Sequence, residues 1–493
     1  MICKNARRRR RHLQRHSPLC ACDISAVQVG DSRRSRSLCR AVLLALAVGV
    51  LAAACSGGGG NDACDVNAQK EWVLATTRDW YYFDDLLPAS VDLAQFPTAA
   101  ELLDELTATA RAQGKDRFFS FLTTRDEDSA LLGEGEFIGF GLRTRTDPGP
   151  RVFVSEVFEQ SPAGEAGIER GDEIVAVDTG SGFVTTADLL ASGDTISDVL
   201  GPAETGLQRG LRLADASAAT REVSLTKRTV TIDPVPDDDG VRILPLAGTS
   251  GVGYISLRSY ISTADEQLRA AFTEFRAQGI QYFIVDLRYN GGGLITTYEL
   301  LGDLLGGARS TSDVMSRTLF NTRHPGANAT RTFSPQLQSV APVRIAFLTT
   351  EATASASELN INTIRPWVEV AIVGTDTFGK PVGQSAFDLA GCDDRMRLVT
   401  FKTVNALDEG DFFDGLAPSM TFACAATDSL TESPGDPLEG LTAAALHWLS
   451  TGACDSVIAA ASARLEAGAG HRMTRYPRSA RPSAAEVWMP GVQ

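Results

Sequence analysis

The sequence predicts a multidomain α/β protein that carries a mostly-β module and a helical N-terminal region. Three observations support this. At 493 residues the chain is too long for one ordinary domain, so two or three folded units are expected. Between about 250 and 405, near-continuous apolar runs at 252–257, 282–287, 344–348 and 370–373 alternate with helical stretches such as 265–278. Strands that are apolar along their whole length are covered on both faces, which is the layering of an α/β sheet. Residues 131–235 differ in texture, with short strand-like runs at 137–142 and 152–157 broken by glycine. Hydrophobic residues at 43% and charged residues at 22% supply an ample core and exclude disorder along the whole length.

Each segment follows from its local pattern. Residues 64–130 read as a helical cap, because Trp72, Val73 and Trp80 to Tyr82 are followed by an amphipathic run from Ala99 to Leu106. Residues 131–235 form the β module, and Pro234, Pro236 and Asp237–Asp239 then read as a solvated linker. The α/β core spans 236–455, with helices over 356–365 and 438–449. Residues 456–493 are the end of that helix and a tail, expected to lack structure beyond about Ala467.

Charge and cysteines bear on location. Residues 1–54 hold Lys4 and ten arginines against Asp23 and Asp31, a net of +9, so the rest carries −24 within an overall −15. An acidic body argues against nucleic acid as a partner. Arg33 to Arg40 precede an apolar run from Ala41 to Ala54, which is too short to span a membrane comfortably and reads as an export signal. Residues 1–32 are long for such a signal and fit a translation start placed too early. The string Leu51-Ala52-Ala53-Ala54-Cys55 resembles a bacterial lipobox, which would make Cys55 a lipidated N-terminus and membrane anchor. A plain cleavage site is the alternative. Residues 55–63, rich in glycine, read as a flexible tether. Serine at position 56 resembles lipoproteins sorted to an outer membrane. Four cysteines follow, and an even count in an oxidising compartment suggests two disulfides, preferably Cys392–Cys424 and Cys64–Cys454; buried free thiols are the alternative. No close Cys/His spacing suggests a metal, and no cofactor is called for.

The chemistry centres on Thr353-Ala354-Ser355-Ala356-Ser357-Glu358 and on Lys380 in Thr377-Phe378-Gly379-Lys380. Ser355 closes a loop after an apolar strand and opens a helix, where backbone N–H groups can stabilise an oxyanion. Equally, it could be a plain helix cap, with Glu358 completing a capping box. A nucleophilic serine needs a base. Beyond the signal the only histidines are His324, His447 and His471, none of them in a motif. A desolvated lysine can serve instead, and the chain uses only six lysines beside forty arginines, which cannot deprotonate. Taken alone, Lys380 could be a surface charge in a turn. The run Asp286-Leu287-Arg288-Tyr289-Asn290-Gly291-Gly292-Gly293 adds a glycine turn after a buried strand, where backbone can approach a ligand.

Two resemblances organise these motifs. Residues 161–178, from Ser161-Pro162-Ala163 through Ala166-Gly167-Ile168 to Gly171-Asp172, resemble a PDZ domain of the circularly permuted bacterial type. The strand-turn from Asp286, the Ser355 segment and the Lys380 motif 25 residues later resemble the tail-specific (C-terminal-processing) serine peptidases, over roughly 65–455. The resemblance implies a crotonase-like α/β catalytic core with an inserted PDZ domain, and a serine endopeptidase that needs no cofactor. By the family motifs Ser355 is the nucleophile, Lys380 the base and Gln384 the residue orienting it. Gly292 and Ala356 are the oxyanion donors, and Glu358 is a supporting residue. Gly139, Phe140, Gly141 and Leu142 are candidates for a groove binding the C-terminal residues of a protein or peptide substrate as an added strand. Three departures stand out: Thr353 for serine, Pro381 for glycine, and Pro366 where some members carry aspartate. A catalytically silent peptide-binding lipoprotein and an acyl-thioester enzyme of related layout are the competing readings. The silent scaffold would lack the Ser/Lys pair, and the acyl-thioester enzyme would leave the PDZ string unexplained.

Overall fold

The computed structural model describes residues 64–147, 149, 151–237, 239–459, 485, 488, 489 and 491–493. The expected export signal, Cys55 and the tether lie outside the described residues, as does His471.

The core is a six-stranded sheet in the order Val241–Leu244, Val252–Ser256, Tyr282–Asp286, Arg344–Thr349, Glu369–Gly374 and Phe422–Ala425. Only the first pair is antiparallel. Alternate residues of each strand point to opposite faces, and both faces are covered. Ile255, Phe283, Val285, Ile345 and Phe347 pack on the helices Ala264–Ala277, Ile295–Leu305 and Ala356–Ile364. Tyr254, Ile284, Ala346 and Leu348 pack instead on Gly440–Thr451 through Leu441, Ala445 and Trp448. This double burial is why these strands are apolar throughout. Asp286 pairs in register with Leu348, so the loops leaving these two parallel strands emerge side by side at the carboxyl edge of the sheet, where ligands meet such folds.

A second, antiparallel sheet joins Phe121–Thr124, Asp394–Val404, Val314–Phe320 and Ala329–Thr332, with Val382–Asp388 also paired to Asp394–Val404. The helices Val66–Trp80 and Ala99–Ala112 bury Val73, Leu102 and Leu106 against its Val382, Met396 and Leu398. Asp65 starts the first helix by accepting from the Asn67 and Ala68 N–H groups, and Thr98 starts the second by accepting from Glu101 N–H. Residues 64–130 are therefore not helical alone, because Phe121–Thr124 completes a sheet with Asp394–Val404.

The mostly-β module pairs Leu142–Thr146, Val152–Val157, Glu173–Asp178, Gln208–Ala214 and Thr220–Thr226 in chain order, with Phe183–Thr185 also paired to Glu173–Asp178 and a two-stranded ribbon of Glu136–Gly139 and Arg228–Thr231 at its entry and exit. Ser161 caps the helix Pro162–Glu165, as the Ser-Pro pair implies. The expected single run at 137–142 breaks at Gly141, whose φ is +79° and where an added Cβ would lie 2.1 Å from Ser161 Cβ.

Two expectations fail. The disulfides are Cys64–Cys392 and Cys424–Cys454, not Cys392–Cys424 and Cys64–Cys454. Cys392 sits in the turn before Asp394–Val404, beside the first helix, whereas Cys424 lies in the core sheet. There it forms a bridge pair with Val457 that brings Cys454 close. The described residues near the end of the tail are also packed: Ala485, Trp488, Met489 and Val492 are buried among Phe137, Phe158, Val230 and Ile261. A run that looked aperiodic in sequence finds its partners only in tertiary structure.

The bridges differ in what they close, with sequence separations of 328 and 30. Loop-closure entropy grows with the logarithm of length, so the long bridge is expected to contribute about 2 kcal/mol more than the short one. Urea unfolding of the Cys64→Ser/Cys392→Ser and Cys424→Ser/Cys454→Ser variants tests this. An equal loss from both would show that chain entropy is not what the bridges contribute.

Candidate active site

Ser355 stands where the loop after Arg344–Thr349 turns into the helix Ala356–Ile364, at φ 56° and ψ −116°, a conformation costly for a residue with a Cβ. Its flanks are tied down. Thr353 Oγ1 donates to the Leu287 carbonyl at 2.8 Å, while Ala354 N–H and the Ser357 hydroxyl both reach the Asn290 carbonyl, at 3.0 and 2.9 Å. Thr353 keeps the hydroxyl of the serine it replaces, so that departure costs nothing here. Ala356 is the first helical residue, so its N–H has no intrahelical acceptor.

Gly292 lies against this turn, and a Cβ on it would come within 2.8 Å of Ser355 Cβ and 2.9 Å of Ala356 N at a φ of +106°. Only glycine fits. Its N–H, expected to face an oxyanion, instead donates to Asn290 Oδ1 at 2.9 Å. Asn290 is itself fully buried and donates to the Leu257 carbonyl. Of the two expected donors, Ala356 is free of the turn and Gly292 is engaged within it.

Lys380 precedes the strand Val382–Asp388 and opens with Ser355 onto one cleft, also lined by Ile295, Leu359, Phe401 and Phe412. Its Nζ donates to Gln384 Oε1 at 2.9 Å and lies 5.1 Å from the Phe119 ring centre on one side and 4.8 Å from that of Trp488 on another. Burial pulls the amine down from 10.5 to about 7, against the opposing pull of Asp116 and Glu358. A bulge between Gly383 and Gln384 turns the Gln384 side chain toward the lysine. The Gln384 amide in turn donates to the Phe119 carbonyl. Pro381 loses no contact that matters, since the Lys380 N–H before it is engaged and its own carbonyl accepts from Thr403. Pro366 lies beyond the helix end, away from these contacts.

Glu358 joins the two halves. It is fully buried and accepts from Ser355 N–H at 2.9 Å, Gly379 N–H at 2.7 Å and Lys380 N–H at 2.8 Å. Burial pushes its carboxyl from 4.5 up to about 6 despite those donors. The expected capping box is present, and the Glu358 carboxylate that holds the Ser355 N–H in it also reaches the lysine segment. Neither described histidine is here. His324 stacks on Trp80 at 3.6 Å, and His447 pairs with Asp455.

Sequence reading missed what supports the glycine turn. Buried Arg288 pairs with Asp286, Asp428 and Glu439, and Asp428 also takes Arg170 from the β module. Asp428 and Glu439 belong to no motif, and spacing alone offers no sign of them. A separate depression at Gly374, Thr375, Thr427 and Ser456 has no titratable side chain on its walls.

The β-module residues Phe140, Gly141 and Leu142 aim their N–H groups at one point, the carbonyl oxygen of Gln493, at 2.9, 2.8 and 3.4 Å. An added Cβ on Gly139 would lie 2.8 Å from the Gln493 carbonyl carbon.

Comparison with known proteins places these features in a family. The profile of the peptidase S41 N-terminal domain matches residues 68–121, that of the PDZ domain 129–192 and that of peptidase family S41 251–421. Carboxyl-terminal-processing peptidase 2 of Arabidopsis thaliana is 28% identical over 271 residues, 53% of this chain and 48% of that protein. The C-terminal processing peptidase of Tetradesmus obliquus is 29% identical over 273 residues, 52% of this chain and 54% of that protein. The chain spans about half the length of these curated relatives. A solved S41 protease structure from Bacteroides fragilis superposes with a TM-score of 0.60 at 24% identity, covering 78% of this chain and 97% of the other; this likeness bears on fold alone.

Proposed function

The chain belongs to peptidase family S41, with the family's N-terminal and PDZ domains, and from that premise we propose that it is a serine endopeptidase using Ser355 as nucleophile and Lys380 as general base. The observation that carries this is Glu358, whose carboxylate holds the backbone of both residues at the mouth of one cleft. Neutral Lys380, held by Gln384, accepts the Ser355 proton as Oγ attacks the scissile carbonyl. The Ala356 N–H stabilises the oxyanion. Gly292 joins it when Asn290 releases the Gly292 N–H. The lysine then returns the proton to the leaving amine, and water hydrolyses the acyl-enzyme. The PDZ groove at Phe140–Leu142 receives the C-terminal residues of the protein or peptide being cut.

Export and lipid anchoring through Cys55 belong to the same reading, supported by the basic head, the apolar run and two disulfides. The test incubates the chain from about Asn61 with an unstructured protein and follows products by mass spectrometry. Cleavage by wild type and none by Ser355→Ala is the expected result. Equal cleavage by both would sink the mechanism.

A further inference from the structure

The most informative feature outside the catalytic pair is the chain's own segment ending at Gln493. Thr144 N–H donates to the Gly491 carbonyl at 2.9 Å, Gln493 N–H donates to the Leu142 carbonyl at 2.8 Å, and Arg143 pairs antiparallel with Val492. The segment is thus an added strand on Leu142–Thr146, with Gln493 O in the N–H loop, the geometry by which PDZ domains hold peptide ligands. The Gln493 side chain is read as well: its Nε2 donates to Ser197 Oγ at 2.6 Å, on the helix Ile196–Leu200. Gln493, Val492, Met489 and Trp488 are each no more than 5% exposed. From this anchor the segment reaches the catalytic cleft, where Trp488 lies 4.8 Å from Lys380 Nζ and 5.8 Å from the Arg397 guanidinium. One short segment therefore fills the peptide groove and covers the base.

We propose that Gly491–Gln493 are a built-in occupant of the PDZ groove that, with Trp488 over Lys380, holds the enzyme in a resting state, and that substrates act by displacing it with a C-terminal segment whose last side chain can hydrogen-bond Ser197. The occupancy rests on geometry alone, and the resting state rests on the peptidase reading above. A tethered ligand competes at an effective concentration on the order of millimolar, so weak or sparse tails are excluded. Trp488 must leave Lys380 before a scissile bond can approach Ser355, which links recognition at the groove to access at the cleft.

The test compares the full chain, a chain ending at 484, and full-length Val492→Asp, which places a charge at a buried groove position without shortening the protein. A fluorescent peptide copying residues 485–493 is titrated by anisotropy, and cleavage of an unstructured protein is followed in parallel. The expected result is peptide binding at least about tenfold tighter to both altered forms than to the full chain. Ser197→Ala in the shortened chain should weaken that binding severalfold, and cleavage by both altered forms should rise about tenfold. Equal peptide binding by full and altered chains would overturn the occupancy. Unchanged cleavage alongside gained binding would overturn the resting state. Peptide binding gained with no cleavage by any form would leave the occupancy standing and count against the peptidase reading instead.

Discussion

Lys380→Met is expected to abolish cleavage, lowering kcat/KM by at least about a thousandfold, while raising the stability of the protein. The loss follows because, among the described residues, no other base lines the cleft of Ser355; His324 and His447 lie in their own contacts elsewhere. The gain follows from what the fold does to the amine. Its pKa falls from 10.5 to about 7, chiefly by burial. Between those values the unfolded chain holds a proton that the folded chain has shed, so stability contributed by this group rises with pH across the window. Below about 7 the full cost of the burial is present. A tenfold change in proton affinity is worth about 1.4 kcal/mol, and methionine escapes that cost while losing the bond to Gln384, so a net gain on the order of 2 kcal/mol is expected at neutral pH. The advantage over wild type should shrink as pH climbs toward about 10, and thermal unfolding across that range checks it. The same depressed pKa sets the wild-type rate profile. With neutral lysine as the competent form, kcat/KM should climb about tenfold per pH unit below about 7 and level off above. A Lys380→Met variant that is less stable than wild type would mean the amine is not held in the shed-proton state.

How far these arguments could be read from the sequence differs from residue to residue. The core strands were legible because burial on both faces leaves an unbroken apolar run, and the observed Val252–Ser256, Tyr282–Asp286 and Arg344–Thr349 fall within a residue or so of the runs that predict them. That Ser355 and Lys380 line one cleft was legible from their spacing in a family motif. What lies in long-range pairing was not legible. Phe121–Thr124 joins a sheet with Asp394–Val404, and the strands Val314–Phe320 and Val382–Asp388 alternate burial too irregularly to announce a face. Disulfide partners failed for the same reason: four cysteines allow three pairings, and only the fold brings Cys392, in the turn before Asp394–Val404, beside Cys64 and Cys424, in the core sheet, beside Cys454. The tail failed differently. Its described apolar residues, Ala485, Trp488, Met489 and Val492, pack as single anchors on surfaces made by other segments, so no period marks them. Gly292 was legible as a glycine required by close approach, but the hydrogen bond that engages its N–H depends on the rotamer of Asn290, which no motif encodes.

Glu358→Gln is expected to be the most damaging change outside Ser355 and Lys380 that leaves the fold intact, and the reason lies in which atoms face it. One carboxylate oxygen accepts from Gly379 N–H, the other from both Ser355 and Lys380 N–H. An amide offers only one acceptor oxygen, so in either orientation its NH₂ points at a backbone N–H. At least one buried donor is then left unpaired, at about 1–3 kcal/mol. Alanine would strand all three donors and is the poorer test, because unfolding would mask the chemistry. The strained Ser355 turn depends on the bond that is lost or bent, and a displacement of even about 1 Å at a nucleophile costs about a hundredfold. The expected split is a kcat reduced about a hundredfold or more with KM little changed, since the peptide groove lies elsewhere. Electrostatics supplies a second readout that a purely structural role would not move. The Glu358 charge holds the Lys380 pKa up against burial, so removing that charge should move the acid limb of the rate profile to lower pH. The wild-type carboxyl, raised to about 6 by burial, has its own sign. Its contribution to stability is fully present below about 4.5 and is lost as pH rises through about 6, so ionised Glu358 is held at a cost. Lys380 has the opposite sign: burial disfavours its protonated form and favours the neutral amine that catalysis requires. A Glu358→Gln enzyme with unchanged kcat, or with its acid limb moved to higher pH, would remove Glu358 from the mechanism.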